Sequence, residues 1–130
     1  MRLIGKAAAV LLLALLAACS PGYDSDISTV KKSQTTPGIT NEAWANDIAG
    51  ARGRVEWTAS KAAAYNNDAI VEVVARIDRP TAGGGKVHKI ELHFIHNHQT
   101  EKVALDNVIV DGQAQSLIGA ALNLMLLQLQ

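Results

Sequence analysis

The chain is poor in aromatic side chains, has a single cysteine and carries no net formal charge. Its aromatic residues are two tryptophans, two tyrosines and one phenylalanine, so the core has to be mostly aliphatic. One cysteine cannot form an internal disulfide. Twelve basic residues balance twelve acidic ones, which excludes the strong basic field that favours nucleic-acid binding. We therefore expect no nucleic-acid partner.

The sequence signatures of several common enzyme classes are also missing. It contains no nucleophile elbow, no phosphate-binding loop and no dinucleotide-binding glycine pattern. The run "AGGGK" at 82–86 lacks the spacing of a phosphate-binding loop and the Ser or Thr that follows its lysine. We therefore expect neither an enzyme nor a bound cofactor.

The first residues have the pattern of an exported protein. Arg2 and Lys6 flank the start of an apolar run that extends from Ala7 to Ala18. As a helix this run is about 18 Å long at ~1.5 Å per residue, whereas a bilayer core of ~30 Å needs about twenty residues. Residues 1–18 are therefore predicted to be a secretory signal peptide rather than a membrane-spanning helix.

The only cysteine of the chain lies where the apolar run ends. Leu16, Ala17, Ala18 and Cys19 resemble the lipobox of bacterial lipoproteins, in which an apolar branched residue and two small residues precede the cysteine. This resemblance implies cleavage after residue 18 and attachment of fatty acyl chains to Cys19, which anchor the protein in a membrane. Ser20 implies an outer-membrane anchor on the periplasmic face where the host has an outer membrane, and otherwise the outer face of the cell membrane. The alternative is an ordinary signal peptide with an incidental cysteine.

After the cleavage site, the sequence divides into a linker and one domain. Residues 19–38 contain turn residues and mixed charge with little apolar periodicity, which predicts a flexible tether. The alternative is that Ile27 and Val30 dock on the domain. Residues 39–130 are predicted to form a single α+β domain.

The domain is predicted to begin with a helix and continue as a four-stranded antiparallel meander. Thr40 is a suitable N-cap and Gly50 ends the helical pattern. Four alternating segments follow, separated by short turns. In the last of them the apolar parity changes, which predicts a β-bulge at Asp106-Asn107. The element order loosely resembles that of the cystatin-like and NTF2-like small secreted domains, and this resemblance implies a cavity between the sheet and the helices.

The sequence ends in the segment "SLIGAALNLMLLQLQ", which is predicted to be an apolar C-terminal helix. Its apolar residues lie on nearly every side, and a single sheet face covers only one stripe of a helix. The helix is therefore expected either to lie deep between two layers or to contact an envelope protein, a second copy of the chain or lipid. Leu122, Met125 and Leu129 are the candidate partner-binding residues.

Four histidines lie in the third predicted strand and the turn after it: His88, His93, His96 and His98. Alternation places His96 and His98 on one face, about 6.6 Å apart at ~3.3 Å per residue, a spacing that suits two ligands of a zinc or copper ion. A third ligand has to come from elsewhere, and Glu101 and Asp106 are the candidates. The alternative is that both histidines lie half exposed at a hairpin end without an ion.

Two functions follow from these patterns. The first is a lipid-anchored, non-enzymatic envelope protein that binds a protein partner as an accessory or assembly factor. The second is a periplasmic lipoprotein that binds a small ligand or a metal ion.

Overall fold

The computed structural model describes residues 22–116 together with Gly119 and Leu124. The helices are α1 (Asp24–Lys32) and α2 (Asn41–Ala49), and a short 3₁₀ turn spans Ala63–Tyr65. The strands are β1 (Arg54–Lys61), β2 (Ile70–Pro80), β3 (Val87–Asn97), β4 (Lys102–Val110) and β5 (Gln113–Gln115). All neighbouring strands are antiparallel and follow chain order across the sheet. The predicted α+β class and antiparallel meander are confirmed.

The described part of the sheet has five strands, one more than predicted. The extra strand arises at Asp111 and Gly112, which have φ values of 50° and 83°. Positive φ at both central residues is the requirement of the two-residue turn that joins antiparallel strands with the correct twist. This turn folds β5 back onto the end of β4, where Val110 pairs with Gln113.

The predicted irregularity in β4 is confirmed. His93 of β3 pairs with Asn107, whereas the next residue, Phe94, pairs with Leu105. Asp106 is therefore the extra residue of a β-bulge. Because of this extra residue, the apolar side chains before and after the bulge both point towards the core. The apolar residues therefore change from odd to even positions of the sequence at the bulge.

The core lies between the inner face of the sheet and the two helices. Its fully buried strand residues are Val73, Ala75, Ile77, Ile90, Leu92, Phe94 and Val108. At its centre, the Phe94 ring contacts Trp44 of α2 and Trp57 of β1, with ring centroids 6.5 Å and 6.1 Å apart. The side chains of Ile48 and Leu92 are also completely buried. The middle of the space between sheet and helices is therefore filled by side chains.

Helix α2 begins and ends where the sequence predicts. The Thr40 hydroxyl accepts a hydrogen bond from the backbone N–H of Ala43 at 3.2 Å, as an N-cap does. The helix ends at Ala49, and Gly50 follows with a φ of 75°. A side chain at Gly50 would be strained in this backbone conformation and would lie 3.1 Å from the Arg79 guanidinium.

Helix α1 differs from the flexible tether that we expect over 19–38. Acidic residues in its first turn and lysines in its last turn both match the helix dipole. Ile27 and Val30 dock on the domain, and Val30 is completely buried in the core. The side chain of Asn41 donates to the carbonyl of Val30 at 2.9 Å, which fixes the end of α1 against the start of α2. The folded domain therefore includes α1.

The predicted C-terminal helix lies mostly outside the described residues, as do Leu122, Met125 and Leu129. Gly119 and Leu124 are helical, and Leu124 belongs to the buried core. Within the described part of the chain, no helix is long and apolar enough to span a bilayer.

Candidate metal centre

His96 and His98 lie at the end of β3, next to the start of β2. The backbone of β3 places His96 opposite Val71, and the N–H of His98 donates to the carbonyl of Ala69 at 2.8 Å. The two imidazole rings are 4.9 Å apart between centroids and inclined by 61°. The prediction that these two histidines lie together on one face is confirmed.

The third residue of this cluster is Asp26, from the first turn of α1. Its Oδ1 atom accepts a hydrogen bond from His96 Nδ1 at 2.6 Å and another from His98 Nε2 at 2.5 Å. The side chain of Asp26 is completely buried, whereas those of His96 and His98 are 12 % and 49 % exposed. One buried carboxylate therefore holds two imidazole rings, and the cluster opens towards solvent on the His98 side.

The second carboxylate oxygen of Asp26 has no hydrogen-bond partner among the described residues. This Oδ2 atom is buried, and burial removes the water that would otherwise solvate it. An unpaired buried polar atom costs free energy, and a charged one costs more. A cation bound between the carboxylate and the two imidazoles would give this oxygen a favourable electrostatic partner.

The donor atoms of the cluster are close enough for one metal ion. One ligand atom each from Asp26, His96 and His98 lie within 4.8 Å of one another. A tetrahedral ion bound at about 2.1 Å from each ligand needs donor atoms roughly 3.4 Å apart. The two imidazole nitrogens lie 2.6 Å and 2.5 Å from Asp26 Oδ1, closer than an ion requires. Metal binding would therefore replace both hydrogen bonds, move the donor atoms apart and release the protons on those nitrogens.

Two imidazole nitrogens and a carboxylate oxygen form a donor set that zinc uses in proteins. The same set also accepts other divalent first-row metals, with copper(II) the most strongly bound by the general order of affinities. The set contains no sulfur ligand, so it does not favour copper(I).

The third ligand predicted from the sequence is wrong. Glu101 is an exposed turn residue with a φ of 59°, and Asp106 accepts a hydrogen bond from the Tyr65 hydroxyl at 2.5 Å. Neither belongs to the group that holds His96 and His98. The acid that does so is seventy residues earlier in the chain than His96.

A signal for Asp26 is present in the sequence. Tyr23, Ile27 and Val30 all contact the core, and their spacing with Asp26 is that of one face of a helix. An acidic residue within an apolar helical stripe is expected to be buried with a partner. This pattern identifies Asp26 as a site residue once residues 24–32 are assigned as a helix.

The other two histidines make separate contacts. His88 Nδ1 lies 2.9 Å from Asp111 Oδ2, near the opposite end of β3. This hydrogen bond, together with one from the backbone N–H of Lys89, holds the pKa of the Asp111 carboxyl below its usual value. His93 lies on the outer face of the sheet, as alternation predicts, and contacts Glu91 and Glu72.

Comparison of the chain with protein-family models, curated proteins and solved structures finds no match. Its function therefore has to be inferred from its own residues and their geometry.

Proposed function

We propose that this protein is a lipid-anchored envelope protein that binds one divalent transition-metal ion through Asp26, His96 and His98. Zinc is the ion we expect first, because two imidazoles and one carboxylate are among its usual protein ligands. Of the functions that the sequence leaves open, we favour metal binding, because the three residues that would bind the ion lie together in the structure.

The observation that supports metal binding most strongly is the environment of the Asp26 carboxylate. It is completely buried, it contacts two imidazole rings through one oxygen, and its other oxygen is unpaired. A purely structural carboxylate at this depth would be expected to use both oxygens in hydrogen bonds. A bound cation explains why the acid and two histidines converge here.

The lipid anchor rests on the resemblance of residues 16–19 to a lipobox. If Cys19 carries the lipid, only four residues lie between it and the start of α1 at Asp24. The five residue steps from Cys19 to Asp24 span at most about 18 Å when fully extended. The metal centre would then lie close to the membrane surface, because Asp26 is in the first turn of α1.

Metal binding is tested by titrating the purified full-length lipoprotein in detergent with zinc against a chromophoric chelator. We expect one zinc ion per chain. Because His98 is half exposed, His98→Ala should lower the affinity without disturbing the core, and we expect a loss of at least about a hundredfold. His88→Ala is the matched control, since this histidine pairs with Asp111 at the other end of β3. The proposal fails if wild type and His98→Ala bind zinc equally or not at all.

The anchor is tested separately. Cells that express wild type or Cys19→Ala are supplied with a labelled fatty acid and fractionated. Incorporation of label into wild type alone, with loss of Cys19→Ala from the membrane fraction, is the expected result. Label in both forms, or in neither, contradicts lipidation at Cys19.

The expected protein partner remains a prediction. Leu122, Met125 and Leu129 lie outside the described residues, so the structure supplies no contact that identifies what they bind. Crosslinking in intact membranes, with wild type and Cys19→Ala compared side by side, tests this prediction directly.

A further inference from the structure

Three protein ligands leave a bound zinc ion with a vacant coordination position. Zinc sites that are purely structural have four protein ligands, whereas sites with three keep a position for water or another ligand. In the described part of the chain, the group that can share one ion has three members: Asp26, His96 and His98. The identity of the fourth ligand therefore decides whether the site is closed and structural or open to a ligand from solvent.

The rest of the sequence offers little choice for that ligand. Beyond the described residues, the chain contains no histidine, aspartate or glutamate, and its only cysteine is Cys19. By the lipobox resemblance, the sulfur of Cys19 carries lipid and cannot act as a thiolate ligand. The undescribed residues therefore offer no further thiolate, imidazole or carboxylate ligand, and among the described residues no fourth one belongs to the cluster.

The direction from which a fourth ligand can arrive is set by burial. Asp26 is completely buried and His96 is nearly so, but the His98 side chain is 49 % exposed. The exposed edge lies beside the turn after β3 and the start of β2, where His98 is hydrogen bonded to Ala69. A ligand from solvent would reach the ion from this side.

The charge of the loaded site favours an anion. A divalent ion with one carboxylate and two neutral imidazoles has a net charge of +1. Lys61 of β1 lies opposite Val71, the residue that faces His96, and it is paired with the exposed Asp68. A singly charged donor would therefore neutralise the site.

We infer that the metal ion of this protein has an open position on the His98 side that takes a small anionic donor, such as hydroxide or a carboxylate, from outside the chain. This inference rests on the proposed metal-binding function and makes the site one that exchanges ligands, in contrast to a closed structural site. An open position also lets an incoming carboxylate or imidazole compete for the ion, as transfer of metal to another carrier requires.

The test uses the full-length lipoprotein loaded with cobalt(II) in detergent and titrated with azide. Cobalt(II) replaces zinc in such sites, and its visible absorption bands respond to the number and type of ligands. We expect azide to change these bands with a saturable dependence and one azide per cobalt ion. If cobalt binds at one equivalent but azide changes nothing, the open position is refuted while metal binding stands. If neither cobalt nor zinc binds, the proposed function itself is refuted.

Two variants test whether a residue of this chain is the fourth ligand. A sulfur-to-cobalt charge-transfer band in wild type that disappears in Cys19→Ala would show that Cys19 completes the site, and would overturn the inference. Asp68 is the second residue to test, because it precedes Ala69, whose carbonyl accepts a hydrogen bond from the backbone N–H of His98. Azide binding in Asp68→Asn but not in wild type would show that Asp68 occupies the position. Equal azide binding in wild type and both variants supports the open site.

Discussion

The two faces of the sheet each hold histidine–carboxylate contacts, but the geometry of these contacts differs. On the inner side, one completely buried carboxylate contacts two imidazoles, and all its hydrogen bonds are made through a single oxygen. On the outer side, one imidazole lies between two carboxylates: His93 contacts Glu91 through Nε2 at 2.7 Å and Glu72 through Nδ1 at 3.5 Å. Both carboxylates of the outer pair are about one-third exposed.

This difference separates the proposed metal-binding arrangement from an ordinary network of charged side chains. In the inner cluster the donor atoms of three residues converge on one region, so a single ion can contact them all. In the outer contact the two ring nitrogens of His93 point in different directions, each with its own acid, so no common position is shared. Contacts at the solvated outer face are expected to contribute little to stability. The inner cluster differs from the outer contact because its donor atoms converge and its carboxylate is buried, and not because it has more histidines and acids.

Zinc should stabilise the protein through the inner cluster and not through the outer contact of His93. Zinc at a hundred times its dissociation constant should raise the free energy of unfolding by about 2.7 kcal/mol, because it binds only the folded state. For a domain of this size, that is a rise in Tm of roughly 10 °C. Thermal unfolding of wild type, Asp26→Asn and Glu91→Gln with and without zinc measures it. We expect the rise in wild type and Glu91→Gln and its loss in Asp26→Asn. A rise in Asp26→Asn equal to that in wild type would remove Asp26 from the site.

A smaller effect is expected from loosening the helix that carries Asp26. Val30 is completely buried, so Val30→Ala should lower the free energy of unfolding by about 2 kcal/mol. It should also weaken zinc binding, since α1 positions Asp26 over His96 and His98. Val108→Ala is the control, because Val108 is equally buried but lies in β4. Urea unfolding and zinc titration of both variants check this. Equal zinc affinity in the two variants would show that the docking of α1 does not position the site.

The fold illustrates which parts of this protein follow from local sequence patterns. The end of α2 at Gly50, the alternation of β2 and β3 and the bulge at Asp106 are all determined by neighbouring residues, and all were predictable. The Asp111-Gly112 turn is an equally local signal that was missed, because it lies at the end of the last predicted strand and its returning strand has only three residues.

The cluster of Asp26, His96 and His98 is predictable only in part. His96 and His98 are two residues apart in one strand, so alternation alone places them together. Asp26 reaches them through the packing of α1 on the sheet, which joins residues seventy positions apart. Glu101 and Asp106 are near these histidines in the chain, but the turn leaves Glu101 exposed and the bulge directs Asp106 to Tyr65. Proximity in sequence is a poor guide to the third ligand when a helix outside the meander supplies it.

The smallest expected effect concerns the third histidine–carboxylate contact, between His88 and Asp111. Because the pKa of Asp111 is lowered in the folded state, the contact adds stability above the unfolded pKa of about 4 and loses it as the pH falls through the folded pKa. We expect His88→Ala to raise the Asp111 pKa towards its usual value in an NMR titration of the carboxyl carbons. The acid unfolding midpoint should move slightly upward in pH, with zinc affinity unchanged. An unchanged Asp111 pKa would show that the backbone N–H of Lys89 and the charge of Lys86, rather than His88, lower it.

X-ray absorption at the zinc edge of the zinc-loaded lipoprotein reports the ligands of the ion itself. We expect two imidazole ligands, with oxygen atoms as all the other zinc ligands, at about 2.0–2.2 Å. In His98→Ala at saturating zinc we expect one imidazole ligand. A single imidazole in wild type, or an unchanged spectrum in His98→Ala, would contradict a metal centre formed by Asp26, His96 and His98.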